Sequence, residues 1–67
     1  MTEIIVKDTA GFQLRVKKWE CLSPGGLFAV NFIQATKDKE GNIEQESTYE
    51  FFMDQSDLDA MSRAILS

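Results

Sequence analysis

Histidine is absent from the 67 residues, cysteine and proline occur once each, and no apolar run approaches the ~20 residues of a membrane span. Each shortage excludes something. Without histidine the commonest general base is missing. With a single cysteine as well, the ordinary zinc ligand sets cannot be assembled. Cys21 has no partner for an intrachain disulfide, and a lone cysteine suits a reducing compartment, where its simplest role is that of a small buried hydrophobe. The opening MTEIIVKDTA carries Glu3, Lys7 and Asp8 and does not resemble a signal peptide. The expectation is a cytoplasmic, non-enzymatic protein with no membrane partner and no cofactor.

What is present is a core-forming composition and an uneven charge. The chain is 43% hydrophobic and 10% aromatic, enough to exclude disorder. A single domain over residues 1–67 is the only organisation this length permits. Such a short chain buries only about 60% of the surface its unfolded form exposes, so self-association is the natural aid to its stability. The net charge is −4. Residues 1–36 hold Lys7, Arg15, Lys17 and Lys18 against Glu3, Asp8 and Glu20, so the acidic excess lies in residues 37–67. The overall field repels nucleic acid and leaves room only for a local basic patch.

Hydrophobic periodicity predicts four strands and one helix. Glu3–Lys7 (EIIVK) is a short β-prone run, followed by a turn at Thr9-Ala10-Gly11. Over Phe12–Leu22, Phe12, Leu14 and Val16 alternate with Gln13, Arg15 and Lys17, the period of a half-buried strand. The alternation slips at Lys17-Lys18, which predicts a β-bulge there. Ser23-Pro24-Gly25-Gly26 is a turn signal, Leu27–Thr36 a strand, and Asp38–Asn42 a second turn with Gly41 suited to left-handed backbone. Ile43–Met53 forms the next strand. The period then changes. Asp54-Gln55-Ser56-Asp57 offers an N-cap and first-turn acid, and Leu58, Met61 and Ile65, widened by Leu66, fall on one helical face. The fold class is α+β: a four-stranded antiparallel β-meander followed by one C-terminal α-helix, ββββα. The helix is expected to lie on the sheet, with Leu58, Met61 and Ile65 facing Phe28, Val30, Phe32 and Phe51.

One helix covers one face only. If Phe28, Val30 and Phe32 face it, then Leu27, Ala29, Ile33 and Ala35 face away, and the adjacent Phe51 and Phe52 point to opposite sides. Burying a large apolar side chain is worth about 1.5–3 kcal/mol, so a second apolar face implies a homodimer or a partner. The candidate interface is Ala29, Ile33, Ala35 and Phe52.

Two further groups bear on binding. Arg15, Lys17 and Trp19 occupy alternate strand positions, and two cations with an aromatic on one face suit single-stranded nucleic acid, the cations tracking phosphates and the ring stacking on a base. Lys7 and Lys18 extend this candidate patch. The plainer reading puts Trp19 in the core behind the bulge and Arg15 and Lys17 in cross-strand ion pairs. Glu44, Glu46 and Glu50 share a strand face by even spacing. They suit recognition of a basic protein partner, a divalent cation, or simply solvation of an edge.

The strand Phe28-Ala29-Val30-Asn31-Phe32, the charged hairpin Lys37–Ile43 with its Glu40-Gly41, and Phe51-Phe52-Met53-Asp54 running into a helix with Leu58 and Met61 together resemble the positive-cofactor-four family of transcriptional coactivators and its bacterial and phage relatives. The resemblance spans Phe12 to Ile65. It implies a curved four-stranded sheet with one helix, dimerisation, and single-stranded DNA binding in transcription regulation. Where that family tends to place basic and aromatic residues, this chain has Ile33, Gln34, Ala35 and Thr36, and then Glu44, Gln45 and Glu46. Two functions are carried forward: single-stranded nucleic-acid binding through Lys7, Arg15, Lys17, Lys18 and Trp19, and an acidic protein-interaction module using Glu44, Glu46 and Glu50.

Overall fold

The computed structural model describes residues 1–20 and 26–67. Four antiparallel strands, β1 (Thr2–Asp8), β2 (Phe12–Trp19), β3 (Phe28–Lys37) and β4 (Ile43–Met53), form one open sheet in chain order, followed by helix α1 (Gln55–Leu66). Cys21 and most of the predicted Ser23–Gly26 turn lie outside the described residues.

Local chemistry explains the turns. Between β1 and β2, the Thr9 hydroxyl accepts from Phe12 N at 3.1 Å while Thr9 N donates to Phe12 O at 2.8 Å. Between β3 and β4, the Asp38 carboxylate accepts from Glu40 N at 2.9 Å and Asn42 N at 3.0 Å, and Gly41 takes a φ of 87° that other residues resist.

The predicted bulge at Lys17-Lys18 is not there. β2 pairs with β3 without interruption from Phe12 opposite Thr36 to Trp19 opposite Ala29. The polar–apolar alternation slips for a different reason. Lys18 points to the apolar face, where its Nζ sits 4.9 Å from the Phe28 ring centroid, its stem covering apolar surface. The irregularities fall on the edge strands. Val6 is the extra residue between the pairs Ile5–Arg15 and Lys7–Leu14, and Glu44 is the extra residue between Gln45–Thr36 and Ile43–Lys37. Bulges on both edges discourage edge-to-edge pairing.

The register sorts the side chains into two faces. On the apolar face Ile4, Val16, Phe32 and Tyr49 form one row across all four strands, and Val30 and Phe51 are neighbours in the next. Phe32 and Phe51 meet edge to face at 6.0 Å. On the polar face the rows are Trp19–Ala29–Phe52, Glu3–Lys17–Asn31–Glu50, Ile5–Arg15–Ile33–Thr48 and Asp8–Gln13–Ala35–Glu46. Phe51 and Phe52 do point to opposite sides. Among the described residues, the buried ones all belong to β3: Val30, Asn31, Ile33 and Ala35.

The helix is capped as predicted, and only the first half of its apolar stripe is sheltered. Asp57 N donates to the Asp54 carboxylate at 2.8 Å and Asp54 N donates to the Asp57 carboxylate at 3.0 Å, a reciprocal capping box. No helix residue is buried; Leu58 and Met61 are half-buried, while Ile65 and Leu66 are 70% and 81% exposed. At backbone level α1 approaches β4 alone, and of the expected stripe Leu58 and Met61 are partly sheltered while Ile65 stays open to solvent. The physical reason is the junction. Asp54 alone separates strand from helix, and its capping box fixes the direction of exit. The radius of gyration is 14.0 Å, against about 11 Å for a compact domain of this length. Asp54→Ala removes one arm of the box and is expected to destabilise the fold by about 1 kcal/mol in urea unfolding, with far-UV helicity falling first.

Asp8 and Lys37 close the end of the sheet across β2 with an ion pair. The hydrogen bond from Lys37 holds the Asp8 carboxyl below its ordinary range, with the Lys37 charge and a Gln13 hydrogen bond adding to it and desolvation opposing. A carboxyl lowered on folding stabilises above its unfolded pKa of about 4 and loses that contribution as pH falls through the lowered value. The stability gap between the native chain and Asp8→Asn is therefore expected to be constant from neutral pH to about pH 5 and to close in stronger acid, as read by urea midpoints.

Candidate ligand face of the sheet

The face that carries the expected chemistry is built by β2, β3 and β4. The unbroken β2 register keeps Gln13, Arg15, Lys17 and Trp19 on one side. Arg15, Lys17 and Trp19 are thus brought together, whereas Lys7, opposite Leu14, and Lys18, opposite Val30, belong to the other face. The five-residue patch expected from sequence is split by the sheet, and Lys7 and Lys18 cannot act with Trp19 on one ligand strand.

The cations of this face are engaged. Arg15 Nη2 donates to Glu46 Oε1 at 2.9 Å and Nη1 to Gln13 Oε1 at 3.1 Å. Its Nε is buried and lies 3.5 Å from Glu3 Oε1, within ion-pair reach but outside hydrogen-bond geometry. Lys17 Nζ lies 4.0 Å from the other Glu3 oxygen. The expected cross-strand pairs are therefore formed. They bridge β1, β2 and β4, and the Arg15–Glu46 pair spans the intervening β3 at Ile33 and Ala35, which keep 5% and 1% of their surface. These two candidate interface residues offer a partner no surface. Ala29 is half-buried, and Phe52 is the one member of the four that is strongly exposed, at 65%.

Trp19 is not in the core. It is 46% exposed and lies in one register row with Ala29 and Phe52. With adjacent strands about 4.8 Å apart, β2 and β4 are roughly 10 Å apart, so two exposed rings flank a small central residue. This geometry suits a planar group resting between them. Sequence reasoning missed Phe52 as the partner of Trp19. The Phe51-Phe52 pair signals one ring on each face, but the β3–β4 register alone decides which row each occupies.

Of the acidic set, Glu46 and Glu50 share this face, opposite Ala35 and Asn31, while Glu44 is the bulged residue. Among the described residues no group of three metal-ligating side chains could hold an ion. No described helix is long and apolar enough to cross a membrane. Comparison with protein-family models, curated proteins and solved structures gives no match.

Proposed function

We propose that this protein is a non-enzymatic, homodimeric binding protein that holds single-stranded nucleic acid on its polar sheet face. The observation that carries this reading is the Trp19–Ala29–Phe52 row: two exposed aromatic rings beside Lys17 and Arg15. Stacking on aromatic rings tolerates any base, since every base has a π-face. The chain's likeness to single-stranded DNA-binding coactivators points the same way. Because Glu3 and Glu46 already hold Arg15, phosphate contacts contribute little and stacking dominates. Binding should therefore respond weakly to salt, as for the neutralisation of only one or two phosphates. The dimer half of the proposal rests on the uncovered apolar face.

Titrating the protein with oligo-dT at low salt while following tryptophan emission tests the nucleic-acid half directly. Saturable quenching in the micromolar range is expected. An unchanged spectrum, together with unchanged anisotropy of a labelled oligonucleotide, removes this reading.

The acidic surplus on the same face supports a second reading, recognition of a basic protein through Glu46 and Glu50. The double charge reversal Glu46→Lys/Glu50→Lys separates the two. Nucleic-acid binding is expected to tighten, because two repelling carboxylates are lost and Arg15 is released. If oligonucleotide affinity falls instead, the carboxylates are themselves part of the recognition surface.

A further inference from the structure

Beside the two exposed rings of the polar face stands a carboxylate that the ion-pair network does not use. Among the described residues, Glu3 and Glu46 hold Arg15, and Glu3 also lies near Lys17, whereas Glu50 forms no ion pair. Glu50 is exposed, precedes Phe52 by two residues on the same face of β4, and lies opposite Asn31. We infer that Glu50 reads the base held at Trp19 and Phe52: its carboxylate takes the hydrogen-bonding edge of that base and selects guanine. This inference rests on the nucleic-acid reading proposed above and adds which base the face prefers.

The register supplies the geometry. The aromatic row Trp19–Ala29–Phe52 and the polar row Glu3–Lys17–Asn31–Glu50 are neighbours on one face, about 7 Å apart along the strands. A base whose plane rests between the two rings lies over Ala29. Its edge, turned along β3, comes to Asn31, which is buried with 7% of its surface exposed. The adjacent strand, about 4.8 Å away, brings the Glu50 side chain to that same edge.

Hydrogen-bond chemistry then ranks the bases. An ionised carboxylate only accepts. Guanine presents two parallel N–H donors on one edge, from N1 and the N2 amino group, and they match the two carboxylate oxygens in the way a guanidinium does. Cytosine and adenine set a single amino group beside a ring nitrogen whose lone pair faces the carboxylate. Thymine sets its N3–H between two carbonyl oxygens, and the carboxylate repels both. The negative charge that opposes phosphate binding on this face thus becomes the source of its base preference.

The test compares the native protein with Glu50→Gln by anisotropy of labelled oligonucleotides in lithium buffer, where guanine-containing strands stay single. Three strands are used: all-thymine, alternating thymine and guanine, and alternating thymine and hypoxanthine, which keeps N1–H but lacks the amino group. The native protein should bind the guanine strand at least about fivefold tighter than the all-thymine strand, the lower bound for one bidentate base contact. The hypoxanthine strand should lose most of that gain. In Glu50→Gln the guanine preference should disappear while all-thymine binding is kept. Equal native affinity for the guanine and thymine strands overturns the inference and leaves the stacking platform standing. A guanine preference that Glu50→Gln retains, or that hypoxanthine shares in full, also overturns it. If no strand binds, the nucleic-acid proposal falls with it.

Discussion

Tyr49→Glu is expected to break the dimer and to take much of the protein's stability with it. Tyr49 ends the apolar row that begins at Ile4, and in a single chain its side chain is half exposed. A carboxylate on a half-exposed site of a lone chain meets water and costs little. In a dimer that covers this row, the same carboxylate enters an apolar layer without a partner, a cost of several kcal/mol. Each 1.4 kcal/mol is tenfold in affinity, so the dimer constant should worsen by about 100-fold or more. Sedimentation velocity across a concentration series reads the mass, and circular dichroism reads the fold. A Tyr49→Glu protein with native mass and native melting would show that nothing covers this face.

Trp19→Ala carries the second large effect, on ligand affinity alone. Stacking of one base on an aromatic ring is worth about 1–3 kcal/mol, so oligonucleotide binding should weaken about 5- to 150-fold. Phe52→Ala should produce a loss of similar kind, and Ala29→Phe should block the space between the two rings. Trp19 is nearly half exposed and Phe52 more so, so the thermal midpoints of the alanine variants should stay near the native value. Affinity is best read by anisotropy of a labelled oligonucleotide, since Trp19 is the chain's only tryptophan. If the alanine variants bind as the native chain does, the aromatic row is not the site.

Strand and helix identities were legible because they follow from period and capping. Phe12, Leu14 and Val16 announce β2, Asp38 and Gly41 announce the hairpin turn, and Asp54 with Asp57 announces the helix start. Opposite placement of Phe51 and Phe52 followed from the geometry of any strand. What stayed hidden was set across strands. The Lys17-Lys18 pair imitates a bulge, because the sequence does not reveal that Lys18 spreads over Phe28. That one misreading sends Trp19 into the core and hides its alignment with Phe52. Ile33 and Ala35 look like spare apolar surface until Arg15 and Glu46 are seen to close over them. The helix reads as a lid because its stripe suits a sheet. The one-residue junction, which governs where that stripe points, becomes visible only in three dimensions.

Among the described residues the fully buried ones lie in the middle of β3 alone, too few to make an interior that stands by itself. Sedimentation equilibrium of the native protein in the micromolar range weighs this claim most directly. The expected mass is twice the 7.6 kDa of the chain, with folding and association lost together on dilution. A cooperatively folded species at the mass of one chain, unchanged on dilution, would contradict it.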